Sequence, residues 1–174
     1  MSSRPSALRT AFLATALTAG LATGASAQLR SCVDTLTAMP EFSRITSAIV
    51  RTHLVDDLRN ANEITIFAPT NEAVSRLNQV FVERLFPTEE GERRADPVLA
   101  PAAVGAHIVQ GRRNAASMSQ AGQLRSMAGT PLNATTSGGV TTVTGAGGVQ
   151  AHVTRADIAC SNGFIHAIDG VLLR

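Results

Sequence analysis

The sequence predicts an α+β fold, in which helices come first along the chain and strands follow. Apolar residues between positions 32 and 59 recur mostly at steps of three and four, which is the spacing of one helical face. Residues 129–153 are instead rich in Thr, Ser, Gly and Val, a composition typical of β-hairpins. A helical half followed by a hairpin-rich half is typical of the α+β class.

The first 27 residues have the pattern of a secretory signal peptide. Arg4 and Arg9 supply the positive start, residues 10–24 are apolar, and Ala25-Ser26-Ala27 supplies a small-residue cleavage site before Gln28. The apolar stretch is short and rich in Ala, Thr and Gly, whereas a membrane span needs about 20 strongly apolar residues. A retained N-terminal anchor remains the alternative. We expect an extracytoplasmic protein, either periplasmic or secreted.

Cleavage would leave one domain at residues 28–174, long enough to bury a sizeable core. The whole chain has 15 basic and 13 acidic residues. Two of the basic residues lie in the predicted signal peptide, so the domain would have 15 − 2 = 13 basic residues against 13 acidic ones. This balance argues against a nucleic-acid-binding surface. All the basic residues are Arg, which favours a bacterial origin.

Residues 32–59 are predicted to form one or two helices. Proline is tolerated in the first turn of a helix, so Pro40 would allow a second helix to begin near Met39.

The next segment is predicted to be a strand that leads into a helix. Residues 64–68 are apolar and rich in β-branched and aromatic side chains, and Pro69 would end the strand. Thr70 or Asn71 would then cap a helix that continues to Phe86, just before a proline.

A charged loop is predicted at residues 87–97, and we expect it to be strongly exposed. A short Ala-rich helix should follow at residues 98–106. Residues 107–109 are predicted to form a strand that Gly111 ends.

The last third of the chain should contain four strands. They are predicted at residues 132–135, 140–144, 149–154 and 164–173.

Two glycine steps are predicted to shape the last strand. Asn162-Gly163 should form the tight turn from which the strand starts. Asp169-Gly170 suggests a bulge or sharp bend within the strand, with Gly170 in a conformation that other residues avoid.

The two cysteines, Cys32 and Cys160, lie near the two ends of the predicted domain. An even number of cysteines behind an export signal favours a disulfide, and two free thiols are the alternative. No further Cys lies near either one, so the sequence does not predict a Cys-rich zinc site.

The four histidines, at positions 53, 107, 152 and 166, lack the spacing of metal ligands. His107 and His166 lie in apolar runs, so we expect each to be buried or half-buried with a hydrogen-bond partner. Ser161, His166 and Asp169 invite comparison with a catalytic triad, but no nucleophile elbow or oxyanion loop accompanies them. We therefore predict no enzyme activity, no metal and no cofactor.

Three segments resemble the characteristic motifs of the fasciclin domain family. Residues 65–74 (TIFAPTNEAV) are similar to the first box, and residues 106–111 (AHIVQG) to the central histidine-containing segment. Residues 162–173 (NGFIHAIDGVLL) are similar to the second box. The resemblance covers about residues 32–173 and implies a twisted antiparallel β-wedge packed against N-terminal helices.

The resemblance also implies which residues shape the fold. The motif positions expected to be structural are Thr65, Phe67, Ala68, Pro69, Thr70, Asn71, His107, Asn162, Gly163, His166, Asp169 and Gly170. Departures occur at Val74, where Phe is common, at Ala106, where animal adhesion members usually have Tyr, and at Arg174, where the family usually ends in Pro. The missing Tyr and the absence of an Arg-Gly-Asp sequence weaken the case for integrin-type binding.

Two functions remain open at this point. The family consists of adhesion and interaction modules, which implies a protein or a surface or matrix component as the partner. The alternative is a carrier that holds a small lipophilic ligand between the helical layer and the β-wedge. The chain has no Trp or Tyr, so a flat ligand would find few aromatic walls.

Overall fold

The computed structural model describes residues 29–85 and 95–173. The predicted signal peptide and its cleavage site lie outside these residues. So do Phe86, most of the charged loop predicted at residues 87–97, and Arg174.

The described helices are short. They are α1 (Cys32–Thr37), α2 (Ser43–Arg51), α3 (Val55–Asn60), α4 (Asn71–Ser75), α5 (Gln79–Leu85), α6 (Leu99–Gly105) and α7 (Ala115–Gln120). A 3₁₀ turn, Pro40–Phe42, leads into α2. Within these ranges, no helix has the length and apolar character needed to cross a membrane.

The region 32–59 holds three helices rather than the predicted one or two, because α2 ends in a Schellman motif. His53 has a φ of 58°. Its N–H donates to the Val50 carbonyl, and the Leu54 N–H donates to the Ile49 carbonyl. Glycine is the residue that usually marks such a left-handed helix end, so a helix end at a histidine is hard to predict from the sequence.

The single helix predicted from Thr70 to Phe86 is divided into α4 and α5. The Asn78 side chain accepts a hydrogen bond from the Val80 N–H, at 2.9 Å. A short polar side chain can satisfy the free N–H groups at a helix start, so a new helix begins there.

In the described part of the chain, seven strands form one sheet. They are β1 (Ile64–Pro69), β2 (Ile108–Gln110), β3 (Gln123–Arg125), β4 (Pro131–Ser137), β5 (Val140–Thr144), β6 (Gln150–Cys160) and β7 (Gly163–Ile168). The strand order is β2-β1-β7-β6-β5-β4-β3. β1 runs parallel to β7, and the other neighbours are antiparallel. The sheet is therefore mixed, which differs from the antiparallel expectation at the β1–β7 pair.

The sheet curls until its two edge strands nearly meet. Val109 of β2 forms an isolated antiparallel bridge with Ser126, which follows β3. The Met127 N–H also donates to the Ile108 carbonyl, at 2.7 Å. The α+β class is confirmed, with the sheet forming a near-barrel.

Two apolar cores lie on opposite faces of β1. Ile64, Ile66 and Ala68 pack with the N-terminal helices, whereas Phe67 packs inside the curled sheet. Successive side chains of a strand point to opposite faces, so a strand buried on both faces is apolar throughout. This explains why β1 was easy to predict.

Strands β6 and β3 were harder to predict. β6 extends to Cys160, well beyond the predicted end at residue 154. Its pairing with β7 shifts register at a bulge, where Asp157 has a φ of 58°. The bulge interrupts the alternation of polar and apolar residues. β3 has one buried side chain, Leu124, and so presents no recognisable pattern.

The prediction for Gly170 was right in part. The chain bends at Asp169-Gly170, just after β7 ends at Ile168, but Gly170 lies outside the positive-φ region. A Cβ there would lie 3.1 Å from the Ala151 Cβ and from the Gln150 carbonyl oxygen. Glycine is favoured at position 170 because β6 passes close to it. The bulge lies in β6, at Asp157.

Candidate functional site

The parallel pair β1–β7 brings the two predicted sequence boxes together. Thr65 lies opposite Phe164, and Phe67 lies opposite His166. The Phe67 and His166 rings are stacked, with centroids 5.7 Å apart. Thr65 and His166 are both completely buried. Their polar atoms must therefore find partners inside the protein.

Thr65 uses its hydroxyl group to hold the segment that follows β2, residues 111–115, which we call the 111–115 loop. The hydroxyl donates to the Gly111 carbonyl at 2.7 Å. The same oxygen accepts from the Arg113 N–H at 2.9 Å. One side chain thus fixes both sides of a sharp turn, at which Gly111 has a φ of +93°.

His166 fixes the same loop from the neighbouring strand. Its Nε2 donates to the Arg113 carbonyl at 2.9 Å, and its Nδ1 accepts from the Asp157 N–H at 3.3 Å. A backbone N–H can only donate and a carbonyl can only accept, so the ring is neutral with its proton on Nε2. Burial lowers the pKa of His166, although the Arg113 carbonyl and the nearby Asp157 carboxylate partly oppose this shift.

Asp157 completes the attachment of the loop. Its carboxylate accepts from the Ala115 N–H, at 2.8 Å. The 111–115 loop is therefore held by side chains from β1, β6 and β7. Sequence analysis did not single out Asp157, because a bulge residue carries no periodic signal.

His107 connects the helical layer to the C-terminal segment. Its Nδ1 donates to the Ala103 carbonyl of α6 at 2.9 Å, and its Nε2 accepts from the Leu172 N–H at 3.0 Å. This ring also has one fixed neutral tautomer. Burial lowers the pKa of His107 from 6.5 to about 4, against the opposing effect of the Ala103 carbonyl.

We expect the protein to lose stability as the pH falls from 6.5 to about 4, the window set by the pKa of His107. Over this range the His107 ring binds a proton in the unfolded chain but stays neutral in the folded protein. The free energy of unfolding therefore decreases as the pH is lowered. The loss from His107 should be about 3 kcal/mol, and His166 adds to it in the same direction. Urea unfolding at a series of pH values measures the effect.

His107→Gln should remove most of this pH dependence. The matched control is His152→Gln, which makes the same change at an exposed histidine. A wild-type stability that stays constant across the window would contradict the fixed neutral tautomer.

Asn162 lies at the junction of the N-terminal helices and the sheet. Its side-chain oxygen accepts from the Cys32 N–H at 2.9 Å. Its amide group donates to the Leu58 and Ala61 carbonyls at 2.9 Å and 3.2 Å. Cys32 is bonded to Cys160, and their Cα atoms are 5.0 Å apart. The amide and the disulfide together attach α1 to the turn between β6 and β7.

Two residues of the first box organise helices. The Thr70 hydroxyl caps α4 by accepting from the Ala73 N–H, at 3.2 Å. The Asn71 side chain accepts from the Arg44 N–H at 3.0 Å and donates to the Pro40 carbonyl at 2.9 Å. It thereby positions the start of α2.

The structure does not assemble Ser161, His166 and Asp169 into a catalytic triad. Ser161 is exposed in the turn before β7, whereas Asp169 lies beyond the other end of that strand. The Asp169 carboxylate instead accepts from the His152 N–H, at 2.6 Å. Elsewhere in the described ranges, no group of three or more His, Cys, Asp or Glu side chains could hold a metal ion.

An apolar cavity lies between α2, α5, α6 and the C-terminal segment. Its volume is about 50 Å³, and Phe81, Val104 and Val171 are among its lining residues. Pockets for drug-sized ligands have volumes of about 300–1,000 Å³. In this form the cavity is too small for a ligand of that size.

The chain is similar to several known proteins. A model of the family described as "Fasciclin domain" matches residues 40–174. Protein sll1483 of Synechocystis is 33% identical over 132 residues, which cover 76% of this chain and 67% of that protein. Human periostin is 27% identical over 143 residues, which cover 82% of this chain and 16% of periostin.

A solved structure is similar as well. It is described as a FAS1 domain pair from the insect cell adhesion molecule fasciclin I, and it matches with a TM-score of 0.60 at 29% identity. The match covers 76% of this chain and 45% of the solved one, so the similarity to both periostin and this pair is to a part of each. With the family model matching most of its length and the same fold in a solved relative, this chain belongs to the fasciclin domain family.

Proposed function

We propose that the protein is an extracytoplasmic adhesion module, which binds a protein or matrix component at the cell surface. The fasciclin I relative of known structure is described as a cell adhesion molecule, which supports this proposal. The hydrogen bonds that the motif side chains form to distant main-chain groups support it as well.

The main structural support is the way the motif side chains are used. Thr65, Asn162, His107 and His166 all bond to main-chain groups of segments distant in sequence. Both buried histidines have each ring nitrogen occupied by a backbone group, which leaves neither free to act as a general base. Such residues make a rigid frame that presents its surface loops, and rigid loops lower the entropy cost of binding a partner.

Export forms part of the proposal. The charged start, apolar stretch and small-residue site of residues 1–27 have the form of a signal peptide, and the domain at residues 28–174 would work outside the cytoplasm. A disulfide between Cys32 and Cys160 suits an oxidising compartment.

A second candidate is the carrier of a small lipophilic ligand, and the wholly apolar cavity beside α5 is the observation that favours it. Its volume of about 50 Å³ would have to increase severalfold to enclose a carotenoid-sized molecule. We therefore rank adhesion first.

The test uses protein recovered from the extracytoplasmic fraction of its own host. N-terminal sequencing should begin at or near Gln28, and an intact Met1 would contradict the proposed export. Beads coated with this protein should retain intact host cells in a saturable manner. Soluble protein of the same preparation should compete with the beads.

Native mass spectrometry and an absorption spectrum of the same preparation separate the two candidates. Adhesion predicts a mass equal to that of the polypeptide together with saturable cell retention. A stoichiometric lipophilic ligand in a preparation that retains no cells would overturn adhesion in favour of the carrier.

A further inference from the structure

An open groove separates the two edge strands of the curled sheet. β2 and β3 are joined at the Val109–Ser126 bridge and diverge beyond it. Gln110 and Arg113 line one wall, and Gln123 and Arg125 line the other. The volume of this space, which we call the seam groove, is about 420 Å³.

The seam groove carries positive charge. Arg113 and Arg125 both line it, and none of its described lining residues is Asp or Glu. In the described part of the chain, neither guanidinium forms an ion pair with a carboxylate within 4.0 Å. The Arg125 guanidinium donates to the Gly129 carbonyl, at 3.3 Å. Among the described residues, the Nε of Arg113 is buried and has no hydrogen-bond partner, which is costly for a charged group.

The frame of the domain places Arg113 at this position. Its N–H bonds to the Thr65 hydroxyl, and its carbonyl bonds to His166. Its guanidinium lies against Gly111, where an added Cβ would be 3.4 Å from Nε. The two most deeply buried polar side chains of the motifs thus converge on the backbone of one arginine that faces the groove.

The groove continues past the end of β2 towards the start of β1. A second open space of about 470 Å³ adjoins it and shares Gln110 and Met127 as lining residues. Met127 is an exposed apolar residue, at 45%. The far end is lined by Glu63. An elongated groove beside an edge strand matches the shape of an extended peptide, with its acidic end at the two arginines.

We propose that the seam groove binds an extended acidic peptide segment of a partner protein, whose carboxylate lies between Arg113 and Arg125. This inference rests on the proposed adhesion function and names the chemistry of its partner. A carboxylate would pair with the guanidinium groups, and an apolar side chain two residues away would contact Met127. Because hydrogen bonds already hold the backbone of Arg113, binding should cost little conformational entropy at this residue.

The test measures binding of a short fluorescein-labelled peptide that alternates Glu with Val, by fluorescence anisotropy. Peptides that alternate Gln or Lys with Val are the charge controls. The Glu peptide should bind with an affinity that falls as salt is raised, and the controls should not bind. Arg113→Gln and Arg125→Gln should each weaken binding by about tenfold, the scale of one charge-assisted contact.

Arg112→Gln is the matched control. Arg112 is the sequence neighbour of Arg113, but its guanidinium lies over the Phe164 ring and donates to the Ser161 and Cys160 carbonyls. This variant should bind the Glu peptide with unchanged affinity. Thermal unfolding of every variant ensures that only folded protein is compared.

Three results would overturn the inference. One is undiminished binding by the variant that carries both Arg113→Gln and Arg125→Gln. Another is no binding of the Glu peptide by the wild-type protein. The third is equal competition by free glutamate or sulfate, which would indicate a site for a small anion only.

The cell-retention assay separates this inference from the proposed function. Retention lost in the double variant but kept in Arg112→Gln supports both proposals. Retention that persists in the double variant leaves adhesion standing and places the contact outside the seam groove.

Discussion

Replacement of Gly163 by Ala is expected to destabilise the protein by more than about 4 kcal/mol, a large part of the roughly 5–15 kcal/mol by which a typical domain is stable. A Cβ on Gly163 would lie 1.7 Å from the Ile64 carbonyl oxygen and 2.8 Å from the Ile64 carbonyl carbon. Both are backbone atoms of the parallel partner strand, so no side chain can move aside. The strands would have to separate at the Ile64–Gly163 pair, next to the bond from the Ile64 N–H to the Asn162 carbonyl.

Urea unfolding followed by circular dichroism measures this loss. Gly145→Ala is the matched control, because a Cβ there meets its nearest atoms at 3.5 Å, an ordinary contact, and its φ of −96° suits alanine. The control should change stability by less than about 1 kcal/mol. A Gly163→Ala protein as stable as the control would show that β1 and β7 do not pair in this register.

Removal of the disulfide by the double change Cys32→Ala and Cys160→Ala should cost about 4–5 kcal/mol. The bond closes a loop with a sequence separation of 128 residues, and long loops lose the most chain entropy when they are cross-linked. Without it, α1 keeps its packing, the bond from the Cys32 N–H to Asn162, and the exposed ion pair between Asp34 and Arg59. The midpoint of urea unfolding should therefore fall strongly.

Reductant provides the control for this second experiment. It should lower the unfolding midpoint of the wild type to that of the double variant and leave the double variant unchanged. Equal midpoints for oxidised wild type and double variant would contradict a stabilising bridge. Peptide mapping without reductant should find Cys32 and Cys160 in one linked fragment.

Sequence patterns predicted those elements whose residue types match their burial or their capping role in the structure. β1 is apolar throughout because both of its faces are buried, and the cap at Thr70 follows directly from its hydroxyl. The bulge at Asp157 and the helix end at His53 escaped prediction. Both residues adopt positive φ angles, which Asp and His tolerate better than most residues but which neither residue type is enough to predict.

The candidate site, too, could be predicted from the sequence only in part. His107 and His166 were expected to be buried, because each lies in an apolar run. Their partners could not be named, since the Leu172 N–H and the Arg113 carbonyl are 65 and 53 residues away along the chain. Arg113 lies in the seam groove because Thr65 of β1 and His166 of β7 hold its backbone, and no local sequence pattern indicates this.

The sequence by itself determined the α+β class, because the class follows from local periodicity and residue type. It also determined the family and the positions of the motif residues, because three segments resemble the motifs of that family. Only the tertiary structure decided that β1 and β7 run parallel, that Gly163 is required by the approach of Ile64, and that Thr65 and His166 hold one loop. Close approach and hydrogen bonding across a sheet depend on distances between segments far apart in the chain. The pattern of residues along one strand does not specify those distances.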